Sequence, residues 1–217
     1  MLGRTHSAVG ISCALVLNIA FPQILDQSIH PLIGVASAVT AGSIGGLLPD
    51  VDVSRSKSHN SVEKISMAVL FVGILTVFLD QEFKIGIIQR ILQSSPHARV
   101  YTGMLALLAI CAYGTTTKHR TFMHSISGLV TTSACVSMIA PFLVPYFSIG
   151  FISHIVIDLF NHRKIQLLFP FIKKGICFSV CKSDGVVNYM LETGATVAAA
   201  MLLLSQLGLY KNIAGLL

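Results

Sequence analysis

Charge is what this chain of 217 residues has least of: 11% of its positions are Asp, Glu, Lys or Arg, against 53% hydrophobic ones. An ordinary soluble domain carries about 25% charged residues, and a mean hydropathy of +0.77 moves this chain out of that class and into lipid. The net charge of +6 does not redirect it to nucleic acid. Its Lys and Arg residues come in brief clusters between apolar runs, where membrane orientation and anionic lipid account for them. A disulfide framework is missing too. The five cysteines, Cys13, Cys111, Cys135, Cys177 and Cys181, lie mostly inside apolar runs as small buried hydrophobes, and the CxxxC of Cys177 and Cys181 has no second pair to complete a metal site. There is no HExxH, no GxSxG elbow and no Walker-type phosphate loop. Internal repeats and inverted pairs of broken helices of the transporter kind are also absent.

What is present is a series of apolar runs. A crossing needs about 20 mainly apolar residues, and stretches free of Asp, Glu, Lys and Arg place crossings at 8–25, 29–49, 65–79 and 100–117. The uncharged run 121–157 is too long for one crossing and contains Pro141 and Pro145, so it divides into helices at about 125–142 and 146–160. A seventh crossing covers 193–210. Residues 80–99 mix Phe and Ile with Lys84, Gln89 and Arg90, the pattern of a segment lying on the membrane surface. Residues 165–180, interrupted by Pro170 and Lys173-Lys174, are expected to be re-entrant or interfacial. The fold class is therefore all-α, a polytopic integral membrane bundle of about seven helices in a single domain over 1–217, with the first segment retained as an anchor. Every Lys and Arg except Lys84, Arg90, Arg99 and Lys211 falls on one side, which the positive-inside rule makes cytoplasmic. Gly42 and Gly46 form a GxxxG, a close-packing face on the second helix.

Most of the residues able to hold a metal sit at the cytoplasmic ends of these helices: His6, Asp50, Asp52, His119, His124, His154, Asp158 and Glu192. His154 and Asp158 are four apart on a helix and share one face. They can grip one ion, or form a neutral His hydrogen-bonded to a structural Asp. Asp50 and Asp52 follow Pro49, where the second helix must stop; both carboxylates can face one centre, and a divalent ion would relieve their repulsion. The other reading is a solvated loop with capping carboxylates. His119 and His124 bracket a tight turn. Arg120 beside them is either a phosphate-binding guanidinium or a positive-inside anchor. His59 and Glu63 can add a ligand or a base from a loop, His162 is a weaker candidate, and His30 and His97 fall on the opposite side. Ionisable residues in a membrane chain default to a functional site. A mixed His and Asp set points to Zn or Mn before Ca or Mg, and the number of ligands exceeds what one structural zinc needs, so two or three ions sharing carboxylates fit better.

Leu47-Leu48-Pro49-Asp50-Val51-Asp52, His119-Arg120-Thr121-Phe122-Met123-His124-Ser125 and Gly150-Phe151-Ile152-Ser153-His154-Ile155-Val156-Ile157-Asp158, together with Thr5-His6, resemble the YdjM-like bacterial inner-membrane family, also called membrane-bound metal-dependent hydrolases. That family is regarded as distantly similar to the zinc-dependent phospholipase C and P1 nuclease group. The resemblance implies metal ligands at His6, Asp50, Asp52, His119, His124, His154 and Asp158, with Glu192 at a more loosely spaced acidic position before the last helix. Met123 stands where the family usually has Thr, and Asn161-His162-Arg163-Lys164 replaces its usual Thr-Pro-x-Gly turn.

The resulting expectation is an integral membrane metal-dependent phosphoesterase, phospholipase-like, acting on a lipid or lipid-linked phosphoester through metal-activated water. In it Asp50 or Asp52 bridges metals or orients the nucleophile, and Arg120 binds phosphate. Membrane lipids are the expected surroundings and partners. The competing expectations are an ion- or proton-coupled transporter relaying charge through the same His and Asp residues, whose site should sit near mid-membrane, and a scaffold that keeps a metal only for stability.

Overall fold

The computed structural model describes residues 2–22, 31–52, 96–182 and 185–208. Among the described residues there are six α-helices: α1 Gly3–Ala20, α2 Pro31–Leu47, α3 Pro96–Thr116, α4 Ile126–Ile139, α5 Val144–Leu159 and α6 Val186–Gln206. A 3-10 turn, Leu48–Asp52, extends α2, and a second, Pro141–Leu143, leads into α5. Among the described residues there is no strand, only isolated bridges pairing Asn161 with Cys181 and Ile165 with Ile176.

Local chemistry sets the boundaries. Ser125 accepts a hydrogen bond from the Gly128 N–H at 3.2 Å and caps α4, supplying an acceptor that the first turn of a helix lacks. The same helix stops at Ile139 because Pro141 bars the α conformation just before it, and Ala140 is extended. Pro96 and Pro145 stand in the first turns of α3 and α5, where no backbone donor is needed.

Among the described residues four segments are long and apolar enough to cross a bilayer: Pro31–Asp52, His97–Thr116, Pro141–Leu159 and Val186–Gln206. The 14 residues of α4 reach about 21 Å, less than a hydrocarbon core of about 30 Å. The expected crossing at 65–79, His59, Glu63 and most of the surface segment 80–99 lie outside the described residues. Residues 96–99 of that surface segment instead form the start of α3. The first helix begins at Gly3 rather than residue 8, and the last at Val186 rather than residue 193. That earlier start puts Glu192 inside the last helix, correcting its expected place before it.

Lipid is as apolar as a leucine side chain, so helix association inside a membrane depends on close packing rather than on water release. Here α1, α2 and α5 meet at glycines. A Cβ on Gly10 would lie 2.5 Å from the Gly42 carbonyl oxygen, and one on Gly46 would lie 2.6 Å from the His6 carbonyl oxygen. Gly150 of α5 packs on Gly42 and Gly45 on Phe147 just as closely. Around this crossing Leu15, Val35, Tyr146, Phe147 and Phe151 form the core. The expected close-packing face of Gly42 and Gly46 is therefore real, and it brings His6 of α1 beside the end of α2.

Candidate metal centre

Four elements deliver ionisable side chains to one end of the bundle. α1 brings His6, the 3-10 extension of α2 brings Asp50 and Asp52, the turn between α3 and α4 brings His119 and His124, and the end of α5 brings His154 and Asp158. His6, His124, His154 and Asp158 are at most 1% exposed, and Asp52 is buried. Asp50 and His119 are half-buried and form the lip.

At the centre two imidazole nitrogens lie side by side, each flanked by a carboxylate oxygen of Asp50 and one of Asp158, and together they form a small cage. His124 Nε2 and His154 Nε2 are 3.3 Å apart. Asp50 Oδ1 is 3.6 Å from the first and 3.7 Å from the second. Asp158 Oδ2 is 3.6 Å from His124 Nε2 and 4.0 Å from His154 Nε2. Two nitrogens bound at 2.0–2.1 Å to one tetrahedral zinc stand about 3.3 Å apart, so the imidazole pair already has the span such an ion requires. Three overlapping groups could each hold a metal ion: Asp50, Asp52, His119 and His124; His6, Asp50 and His154; and His124, His154 and Asp158. Asp50 is common to the first two.

The hydrogen bonds around the cage aim its donors. His154 Nδ1 is 2.7 Å from the Gly46 carbonyl oxygen, which can only accept, so Nδ1 carries the proton and the Nε2 lone pair faces the cage. An outer partner of this kind commonly fixes a metal-binding histidine. His119 Nδ1 pairs with Asp52 Oδ1 at 2.6 Å. Asp52 Oδ2 accepts from the Arg120 backbone N–H at 3.2 Å. That N–H is turned by a positive φ of 66° at Arg120, a conformation costing a non-glycine residue on the order of 1 kcal/mol. The Arg120 guanidinium is also engaged: Nη2 pairs with Asp158 Oδ2 at 2.7 Å and Nη1 donates to the Arg163 carbonyl at 2.8 Å.

Other atoms remain unsatisfied. Both nitrogens of His6 and Nδ1 of His124 are buried without a hydrogen-bond partner, although His6 stacks on His154 with centroids 3.7 Å apart and its Nε2 lies 3.4 Å from Asp158 Oδ1. Burial by itself would push the His124 imidazole down, but the facing carboxylates of Asp50 and Asp52 outweigh it and hold His124 up at about 9. A proton on His124 thus partly offsets the carboxylates, which is what a divalent cation would do more fully. Orphaned buried imidazoles beside concentrated carboxylates fit an ion of the Zn or Mn type.

All seven residues expected from the core motifs are brought together. Glu192 is not with them: it lies in the second turn of α6, with Oε2 3.3 Å from the Thr5 hydroxyl and Oε1 3.8 Å from Arg4 Nε. His162 is exposed and pairs with Ser179 at 2.6 Å, and His97 is exposed at the far end of α3. One further residue, not marked out by the motifs, positions the site: Asn188, which is fully buried. Its Oδ1 accepts from the Thr5 hydroxyl at 2.9 Å and from the Leu2 N–H at 3.3 Å, pinning the start of α1 so that His6 reaches the cage. The signal was a lone amide in the first turn of an apolar helix.

An apolar helical bundle with a buried His and Asp cage at one end defines a membrane protein with a candidate metal centre. The model of the YdjM inner membrane protein family matches residues 1–214, and the chain belongs to that family. No curated protein and no solved structure matches it.

Proposed function

We propose that this chain is an integral membrane metal-dependent hydrolase, a phosphoesterase acting on a lipid or lipid-linked phosphoester. The observation that carries the reading is the cage of His124, His154, Asp50 and Asp158, extended on one side by Asp52 and His119 and on the other by His6. Asp50, half-buried at the lip and common to two of the groups, would contribute to holding an ion in either of them. When bound, divalent ions of this type act as Lewis acids that bring a coordinated water toward neutral pKa and clamp phosphoester oxygens.

The chain's own residues hold the arrangement. The Gly46 carbonyl sets the His154 tautomer, and Arg120 orients Asp158 with its side chain and Asp52 with its backbone N–H. Because both terminal nitrogens of Arg120 already have protein partners, we assign it a positioning role in place of the phosphate contact expected from sequence. Access is past Asp50 and His119. Placement of all the ligands at helix ends favours a hydrolytic site over a transport site, which would need access from both faces. Together with the one-sided distribution of Lys and Arg, it supports a cytoplasmic-side site in the inner membrane, and the apolar runs of the sequence are the ground for reading the bundle as about seven crossings.

The test is metal analysis of the purified protein, followed by a screen of phospholipids, isoprenoid phosphates and generic phosphodiesters. The expected result is one or more equivalents of Zn or Mn and turnover of one of these classes that chelation abolishes. Protein that binds metal tightly and hydrolyses none of them is a metal-stabilised scaffold. Protein that binds none overturns the metal centre itself.

A further inference from the structure

The segment that follows the site, residues 161–181, leaves the bundle as an irregular hairpin with a greasy tip. Phe171 is 90% exposed, and Ile172, Ile176, Phe178 and Val180 are exposed with it. Lys173 and Lys174 stand at the tip, with Arg163, Lys164 and Lys182 at its base. No Asp or Glu occurs from 159 to 183. Exposed apolar side chains on a membrane-spanning helix are expected, since lipid covers them. On a non-helical segment they mean something else, because irregular backbone is not tolerated facing the hydrocarbon, which leaves the headgroup layer.

The hairpin is internally braced. Ile165 and Ile176 exchange both backbone hydrogen bonds at 2.9 Å, and the Ile172 N–H donates to the Leu168 carbonyl at 3.0 Å. It is also tied to the turn that carries the metal ligands. The Gln166 N–H donates to the Arg120 carbonyl at 3.1 Å, the Ile126 N–H to the Leu167 carbonyl at 3.0 Å, and the Ser127 hydroxyl to the Phe169 carbonyl at 2.7 Å.

We propose that residues 161–181 form an interfacial docking element, in which Phe171 and its apolar neighbours dip into the headgroup region of the leaflet and Lys173 and Lys174 hold anionic phospholipid headgroups beside the site. Apolar side chains next to basic ones are the pairing that interfacial elements use, and each lysine near an anionic leaflet strengthens the association about fivefold. The surface is a property of the hairpin alone and does not depend on the hydrolase reading.

The chain contains no tryptophan, so Phe171→Trp supplies a single fluorophore at a position exposed enough to leave packing intact. The full-length variant is reconstituted in vesicles of phosphatidylcholine with and without phosphatidylglycerol, using lipids brominated either near the headgroup or at the chain terminus. The expected result is blue-shifted emission quenched by the shallow bromines, more strongly when phosphatidylglycerol is present. In a Lys173→Ala/Lys174→Ala background the phosphatidylglycerol dependence should disappear. Water-like emission that neither lipid quenches overturns the proposal. Quenching by the deep bromines alone overturns it too, by placing the tip in the hydrocarbon, and a phosphatidylglycerol effect that survives loss of both lysines removes the headgroup contact.

Discussion

Polar side chains cluster on α1 near both of its ends, and the two clusters are built on opposite plans. At the far end Asn18 Oδ1 accepts from the fully buried Tyr146 hydroxyl at 2.5 Å, Asn18 Nδ2 donates to Gln206 Oε1 at 2.6 Å, and Gln206 Nε2 donates to the Leu15 carbonyl at 3.3 Å. Every group there is neutral and finds a partner within the protein, so the network needs nothing from outside. Some 12 residues away, about 18 Å along the helix, the His6 end gathers three carboxylates and four imidazoles and leaves imidazole nitrogens buried without a hydrogen-bond partner. A buried donor or acceptor left unpaired costs about 1–3 kcal/mol, and a cluster that keeps such groups among like-charged carboxylates is one that could hold a metal ion. Satisfaction, more than burial or polarity, separates structure from site.

The largest effects should come from the cage. His154→Ala removes a nitrogen from its centre, and metal affinity should fall by more than the roughly 10–100-fold that loss of an outer partner costs, measured by competition with a chromophoric chelator. Asp158→Asn should do the same and also leave the Arg120 charge buried without its counterion, a destabilisation of about 3–5 kcal/mol visible in thermal unfolding. Asn18→Ala, at the other end of the same helix, should leave metal content unchanged. If it strips the metal as thoroughly as His154→Ala does, the two clusters are not functionally distinct.

Next in size is Gly46→Leu. A Cβ there would already meet the His6 carbonyl oxygen, so α1 must move away from the end of α2, an overpacking cost of about 1–3 kcal/mol. The displacement should carry His6 off the cage and lower metal affinity although no ligand has been changed. An equally bulky substitution at Val130, which faces outward, serves as the control and should do neither.

The pH dependence follows from His124. Its folded value of about 9 lies above the ordinary value near 6.5. The stabilisation it gives the metal-free protein is therefore fully present below about 6.5 and is lost as pH rises through about 9. Metal binding runs the other way, because the ion must displace that proton. Apparent affinity should climb with pH and level off above about 9, with release of a proton at pH 7 that titration calorimetry in buffers of different ionisation enthalpy detects. A pH-independent affinity would mean that His124 is not a ligand.

Much of the candidate site's residue set was legible from residue types alone, because in a chain with so few charges buried His and Asp side chains are costly unless they meet partners. His154 and Asp158 do share a helix face, and Asp50, Asp52, His119 and His124 do converge with them. What the sequence could not show were the partners. Thr5 and His6 looked like a polar stretch before the first helix, yet Asn188 and Asp158 receive them and α1 runs from Gly3. Glu192 looked like a ligand before the last helix, but Asn188 already makes the close contact with Thr5, and α6 begins early enough to carry Glu192 away from the cage. Arg120 read as a phosphate-binding guanidinium or a positive-inside anchor, whereas its left-handed backbone and its two committed nitrogens emerge only when Asp52, Asp158 and Arg163 surround it. Hydropathy reports what a residue would like; tertiary contacts decide what it gets.

The smallest expected effect sharpens the comparison from the satisfied side. Tyr146→Phe deletes the hydroxyl that donates to Asn18 while keeping the ring in the core. A hydrogen bond between membrane helices contributes about 0.6 kcal/mol, and Asn18 retains its bond to Gln206. Thermal unfolding should therefore shift only slightly, with metal content, its pH dependence and any hydrolytic activity unchanged. A large loss of metal would mean that α5 transmits strain from one polar cluster to the other, since Tyr146 and His154 lie on the same helix two turns apart. The absence of such a loss would show that the glycine crossing of α1, α2 and α5 isolates the site from the rest of the bundle, as close-packed backbones with no slack between them should.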